Sequence, residues 1–179
     1  SLSPQQVKAL CTALNYTTMQ RLQFRGVDLS VVEPGVIARM IRNVGQLDLS
    51  YNLIDTERVD TIFATIAENP GILKILKLDS TGFKPNMDGA SLAKAVNRLE
   101  KAVFVFCLTG EQVNKILTEA LVSTKLKKLV VNRVMLTRDI DESLLDRTVD
   151  VVGLSTFEHT DEVEWNWIMT REEANGSEY

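Results

Sequence analysis

One spacing, met six times, constrains this chain more than any other feature of it. In VGQLDLSYNLI, residues 44–54, Val44, Leu47 and Leu49 stand at i, i+3 and i+5, with Asn52 at i+8 and Ile54 at i+10. Apolar residues two apart mark one buried face of a strand, and the polar residue after them marks a turn. The template fits again at Met19, Leu22 and Phe24, followed by Val27 and Leu29. It recurs at Leu73, Leu76 and Leu78 with Thr81 and Phe83, and at Leu126, Leu129 and Val131 with Val134 and Leu136. A fourth unit reads Leu99, Ala102, Phe104 and Cys107, with a competing register through Val103, Val105 and Cys107. A sixth reads Val149, Val152, Leu154 and Phe157. Successive starts differ by 25, 29, 26, 27 and 23 residues. Strands repeated at this period have to be laid side by side, because no single unit can bury its own apolar edge.

The intervening segments carry a different period. Val7, Leu10, Cys11 and Leu14 fall at i, i+3, i+4 and i+7, which predicts a helix with one buried face. Val59, Ile62, Phe63 and Ile66 repeat that spacing, as do Val113, Ile116, Leu117 and Ala120. Each helix has a start signal. Ser3 with Gln6, and Thr109 with Gln112, stand at capping-box spacing, Pro4 suits a first turn, and Asp55 or Thr56 caps the helix before Val59. EPGVIARMI, DGASLAKAV and DESLLDR read as a second, shorter kind of helix. The two kinds alternate, so the full period is a strand–helix–strand–helix pair whose starts lie 54 and 53 residues apart.

Strand template, capping residues and helical stripe recurring in one order resemble the leucine-rich repeat superfamily, in the helix-bearing style of ribonuclease inhibitor. That style occurs also in intracellular immune receptors and, more loosely, in the actin-capping tropomodulins. The resemblance covers residues 3–158. It implies an α/β leucine-rich repeat solenoid, with short parallel strands on a concave face and helices on a convex one. Residues 1–158 then form about six repeats with an N-terminal helix, 159–170 a capping strand and 171–179 a disordered tail. One feature departs from the pattern. Only Asn52 and Cys107 fill the asparagine/cysteine slot, where Val27, Thr81, Val134 and Phe157 stand in the other units. A continuous ladder of side-chain amides on loop backbone is therefore not expected.

Side chains alternate along a strand, so residues between the template positions point to the opposite face. These are Arg21, Gln23, Arg25; Gln46, Asp48, Ser50; Ile75, Lys77, Asp79; Lys101, Val103, Val105; Lys128, Val130, Asn132; and Val151, Gly153, Ser155. The first three units present mostly charged and amide groups. The last three add Val103, Val105, Val130 and Val151 beside Lys101 and Lys128, an exposed apolar cluster with a charged margin that suits a protein partner. The residues expected to meet that partner are Arg21, Gln23, Arg25, Asp48, Ile75, Lys77, Lys101, Val103, Val105, Lys128, Val130 and Val151. The plainer explanation is that strands favour valine. In EVEWNWIM, Val163, Trp165, Trp167 and Met169 alternate with mostly polar residues. That pattern reads as a strand covering the core left open at the last unit, or as a second binding surface with tryptophan hot spots.

Chemistry-bearing residues are sparse. His159 is the sole histidine, which excludes a multi-histidine metal site. No Walker loop, dinucleotide fingerprint, nucleophile elbow or kinase signature is present. Asp139, Asp141 and Glu142 suit a helix start rather than a calcium loop. Lys125, Lys127 and Lys128 read as a solvated strand edge, and Cys11 and Cys107 as packed thiols. No catalytic residue, cofactor or metal is expected. The net charge of −4 supplies no basic field for nucleic acid or anionic membrane. No apolar run approaches the roughly 20 residues that span a bilayer, and SLSPQQVKAL has no signal-peptide features. Two cysteines are too few for the cysteine-rich caps of secreted repeat proteins, which favours a cytoplasmic setting, although Asn15 and Asn175 each begin a glycosylation sequon. The expected role is a monomeric, non-catalytic protein–protein recognition module, either an adaptor or the sensing domain of a larger receptor. The competing roles are a tropomodulin-like actin-binding cap and an extracellular ligand-recognition domain.

Overall fold

The computed structural model describes residues 2–78, 84–105, 108–145, 147 and 149–154. Six short strands, β1 (Met19–Gln23), β2 (Val44–Asp48), β3 (Ile75–Lys77), β4 (Lys101–Val103), β5 (Lys128–Asn132) and β6 (Asp150–Leu154), form one sheet. They are hydrogen-bonded in chain order, and every pair is parallel. Parallel neighbours need a long crossover, which the helices provide. These are α1 (Pro4–Leu14) ahead of β1, then α2 (Pro34–Arg42), α3 (Thr56–Glu68), α4 (Gly89–Val96), α5 (Gly110–Ala120) and α6 (Arg133–Arg138). From α1 to α5, each helix packs on the next. The chain is thus α/β, and its described helices line one side of a six-stranded parallel sheet.

The start signals act as their chemistry predicts. Ser3 and Gln6 bond reciprocally, Gln6 N donating to the Ser3 hydroxyl at 3.3 Å and Ser3 N to Gln6 Oε1 at 2.8 Å. Thr109 and Gln112 do the same at the head of α5. Asp55, not Thr56, caps α3 by accepting from Arg58 N at 3.0 Å. Asp88 and Asp141 accept from the hydroxyls and amides of Ser91 and Ser143, and these bonds hold both carboxyls below the usual carboxylate range.

The main core lies between sheet and helices. Leu47, Leu49, Leu76, Leu78, Leu129 and Val131 meet Val59, Ile62, Phe63, Ile66, Val113, Ile116 and Leu117, all buried. Leu99, Ala102 and Phe104 belong to the same core, which selects the first of the two registers open in the fourth unit. The pairing of Ala102 with Phe104 works because the Phe104 ring meets Phe63 edge-on, centroids 5.7 Å apart, filling the room a leucine would take.

Three expectations are corrected. Leu10 is 38% exposed rather than part of the buried stripe, because α1 has a helix neighbour on one side only. DESLLDR, read as a short helix, is a 3-10 turn at Glu142–Leu144 among its described residues, while α6 follows β5 directly. In β6 the register is one residue off. Leu129 pairs with Val151, and Val131 with Gly153, so Val151 packs on the main core and Val152 faces the other side. The reason is Gly153. A Cβ there would run into Arg133 and Leu136 of α6, so no large side chain can hold the template position, and a search for leucines slides by one.

Gly71 is fixed more tightly. It turns the chain after α3 with φ +58°, and a Cβ would collide with the Arg42 backbone. Gly71→Ala is expected to lower stability by about 1–3 kcal/mol, the usual range for a side chain forced into left-handed backbone. Chemical denaturation against the parent protein measures this directly.

Candidate protein-binding face

Every described helix contributes to the main core, so among the described residues the opposite sheet face carries no helix. Strand pairing sets its side chains in two rows. One runs Arg21, Gln46, Ile75, Lys101, Lys128, Asp150, and the next Gln23, Asp48, Lys77, Val103, Val130, Val152. All the predicted contact residues except Val151 lie on this face or its continuation at Arg25 and Val105. Val151 is withdrawn for the register reason above.

The rows divide into a polar part and an apolar part. Over β1–β3, Arg21 Nε donates to Gln46 Oε1 at 3.2 Å, and Gln23 Nε2 donates to Asp48 Oδ2 at 3.0 Å. The other oxygen of Asp48 accepts from Ser50 N at 2.9 Å, and the Lys77 ammonium lies 3.8 Å from Oδ2. Over β3–β6, Ile75, Val103, Val105 and Val130 form a second apolar cluster, with Val152 packed against it. Lys128 stands at its margin, its ammonium 3.4 Å from Asp150.

Exposure along the face is uneven, and here an expectation fails. Arg21, Gln23 and Arg25 on the β1 side are exposed. Val103 and Val130, expected to be open to solvent, are only 2% and 6% exposed, and Lys77 and Lys101 only 3% and 5%. Alternation along a strand fixes which side a residue takes; it says nothing about whether that side is wet.

Sequence reasoning missed Tyr51, Asp150 and Val152. The Arg25 guanidinium sits 4.9 Å from the centre of the Tyr51 ring, a cation–π contact at the open end of the face. Tyr51 holds φ +59°, which turns its carbonyl toward Gly26 N at 3.1 Å. The only local signal was an aromatic residue directly before the slot asparagine. Asp150 and Val152 were lost with the β6 register.

Asn52 fastens this end. It is 5% exposed; its Oδ1 accepts from Val27 N at 2.9 Å, and its Nδ2 donates to the carbonyls of Phe24 and Leu49, both at 2.8 Å. One side chain thus joins the turns after β1 and β2, holding Arg25 and Tyr51 in register.

Burial pushes the Cys11 thiol up to about 11, which leaves it un-ionised at neutral pH. Among the described residues, no three of His, Cys, Asp and Glu converge where they could hold a metal ion. No helix there is long and apolar enough to cross a membrane. Asp79, Cys107, Ser155, His159, Val163, Trp165, Trp167, Met169 and Asn175 lie outside the described residues, and with them the capping strand and the tail. No protein-family model matches the chain, and no curated protein is similar to it in sequence.

Proposed function

We propose that the chain is a non-catalytic protein-recognition module, a short solenoid of the leucine-rich repeat kind whose helix-free sheet face receives a protein partner. One observation carries the reading. Ile75, Val103, Val105 and Val130 gather on that face, apart from the main core and beside Lys77, Lys101 and Lys128. A sheet covered by helices on one side can keep its free side polar, so an apolar cluster on that side, dry itself but bordered by the exposed Arg21, Gln23 and Arg25, supports a contact surface. The exposed Arg21, Gln23 and Arg25, with Tyr51 beneath Arg25, supply the polar margin where a partner first touches. An intracellular adaptor, or the sensing part of a larger receptor, is the role such a face fits.

The test is capture from native extract on the immobilised full chain. Replacing Arg21 and Arg25 together by glutamate is expected to weaken capture of the specific partner by about tenfold or more. Lys94→Glu, on the exposed side of α4, is expected to leave it unchanged. Equal capture by all three proteins, or loss with Lys94→Glu alone, moves recognition to the helices and overturns the reading. Pelleting with purified actin filaments would replace it with the tropomodulin-like role.

A further inference from the structure

We infer that the outer edge of β1 takes an extended acidic peptide as an added strand, with carboxylates on the side of Arg21 and Arg25 and apolar side chains toward the helices. This names the chemistry of the partner and rests on the recognition reading above.

The backbone shows where such a strand would bond. Phe24 N donates to Asp48 O at 3.0 Å, and Leu49 N to Lys77 O, Leu78 N to Val103 O and Phe104 N to Val130 O, each at 2.9 Å. From β2 to β5, one row of residues thus turns its carbonyls toward the preceding strand. On β1 that row begins at Gln23, and among the described residues no strand precedes β1. The Gln23 carbonyl therefore faces outward. Its N–H does too, because both groups of a strand residue point to the same side. An edge of this kind is a template for another chain.

Burial shows what the edge lacks. The positions of Met19 and Leu22 are filled in later units by Val44 and Leu47, Leu73 and Leu76, Leu99 and Ala102, and Leu126 and Leu129, each at most 1% exposed. Met19 and Leu22 are only half-buried, and Leu10 of α1 is 38% exposed. Their counterparts differ in having a strand on the outer side. Apolar side chains of an added strand would complete the same core.

Charge selects the occupant. Residues 1–27 hold Lys8, Arg21 and Arg25 and no acidic side chain, while the other 152 residues hold 17 basic and 24 acidic ones. Arg21 and Arg25 are exposed and held in place, the first by Gln46 and the second by Tyr51. Two copies paired edge to edge would set these like charges against each other. An acidic segment is attracted instead. If its acidic and apolar residues alternate, both sides are met at once, since successive side chains of a strand take opposite faces.

The probe is a fluorescein-labelled synthetic peptide of alternating glutamate and valine, about eight residues long, titrated into the purified full chain and followed by anisotropy. Saturable binding is expected, weaker by at least about tenfold when lysine replaces glutamate. Two further peptides carry N-methyl groups on either the glutamate or the valine amides, so that each has one edge blocked. One should lose at least about tenfold and the other bind as before, because a single edge meets β1. Gln23→Pro removes an outward N–H and none of the bonds to β2, a change that edge strands tolerate. It should weaken the unmodified peptide by at least about tenfold with native far-UV circular dichroism retained. Lys94→Glu should change nothing. Absence of saturable binding, or equal behaviour of the two methylated peptides, overturns the inference; these tests use the wild type and stand even if Gln23→Pro does not fold. A mass that grows with concentration and shrinks in Gln23→Pro assigns the edge to a second copy and overturns it too. Capture of a native partner that survives Gln23→Pro but not the paired arginine replacement keeps the recognition reading and sinks the added strand. Edge-dependent peptide binding without any captured partner does the reverse.

Discussion

Replacing Asn52 by leucine will lower the unfolding free energy by about 3 kcal/mol, one of the largest losses any single polar residue of this chain can produce. Leucine keeps the branched four-atom skeleton but carries bulkier methyls, so the loss is chiefly of hydrogen bonds with some overpacking beside it. It leaves the Val27 amide and the carbonyls of Phe24 and Leu49 without the partner that joins them. Each such group, buried and unsatisfied, costs about 1–3 kcal/mol, and relaxation of the two turns holds the sum near the lower end. For a chain of this length the melting temperature falls by roughly 6–12 °C. Aspartate keeps the acceptor for Val27 but turns the donor into an anion facing two carbonyls, and is expected to do worse. Chemical denaturation gives the free energy. Hydrogen exchange gives the location, because β1 amides should open before those of β4 if stability is a sum over neighbouring units. A loss under about 0.5 kcal/mol, the level of a bland surface change, would mean that the bridge between the first two turns does no structural work.

Much of the fold is legible in the sequence because the main core asks the same thing of each unit. Three inward positions must be apolar, and two of them lie two residues apart, so Met19, Val44, Leu73 and Leu126 announce their strands unaided. The fourth unit is harder. Ala102 and Phe104 exchange volume with Phe63 on a helix distant in sequence, and a template written for leucine does not see that trade. The sixth fails where glycine replaces the leucine because α6 already fills the space, and the local pattern then favours Val152 and Leu154 over Val151 and Gly153. The candidate face is legible in identity but not in environment. Period two puts Val103, Val130 and Lys101 on the side away from the helices, as observed. Their burial depends on what lies over the sheet, a long-range property that no local spacing encodes.

Leu129 and Val130, adjacent on β5, separate core from contact surface more sharply than any other pair. Leu129 is fully buried in the main core, among side chains from several helices. Leu129→Asp places a carboxylate where no water or counter-charge can reach, and the penalty rivals the whole stability of a domain, about 5–15 kcal/mol. The variant is expected to be unfolded or insoluble at 25 °C. Val130→Asp changes a residue almost as dry, yet the outcome should be different. It belongs to the small cluster on the helix-free face, apart from the main core, so the loss is limited to the burial of one valine, about 2 kcal/mol. Cooperative unfolding and native far-UV circular dichroism should survive. If Val130→Asp fails to fold as Leu129→Asp does, the valines are a second core that the sheet cannot do without, and the recognition face falls. If it melts like the wild type, nothing covers Val130 in solution, and the face stands open. Only an intermediate result, stable but measurably weakened, fits a contact surface whose apolar cluster adds to stability without deciding the fold.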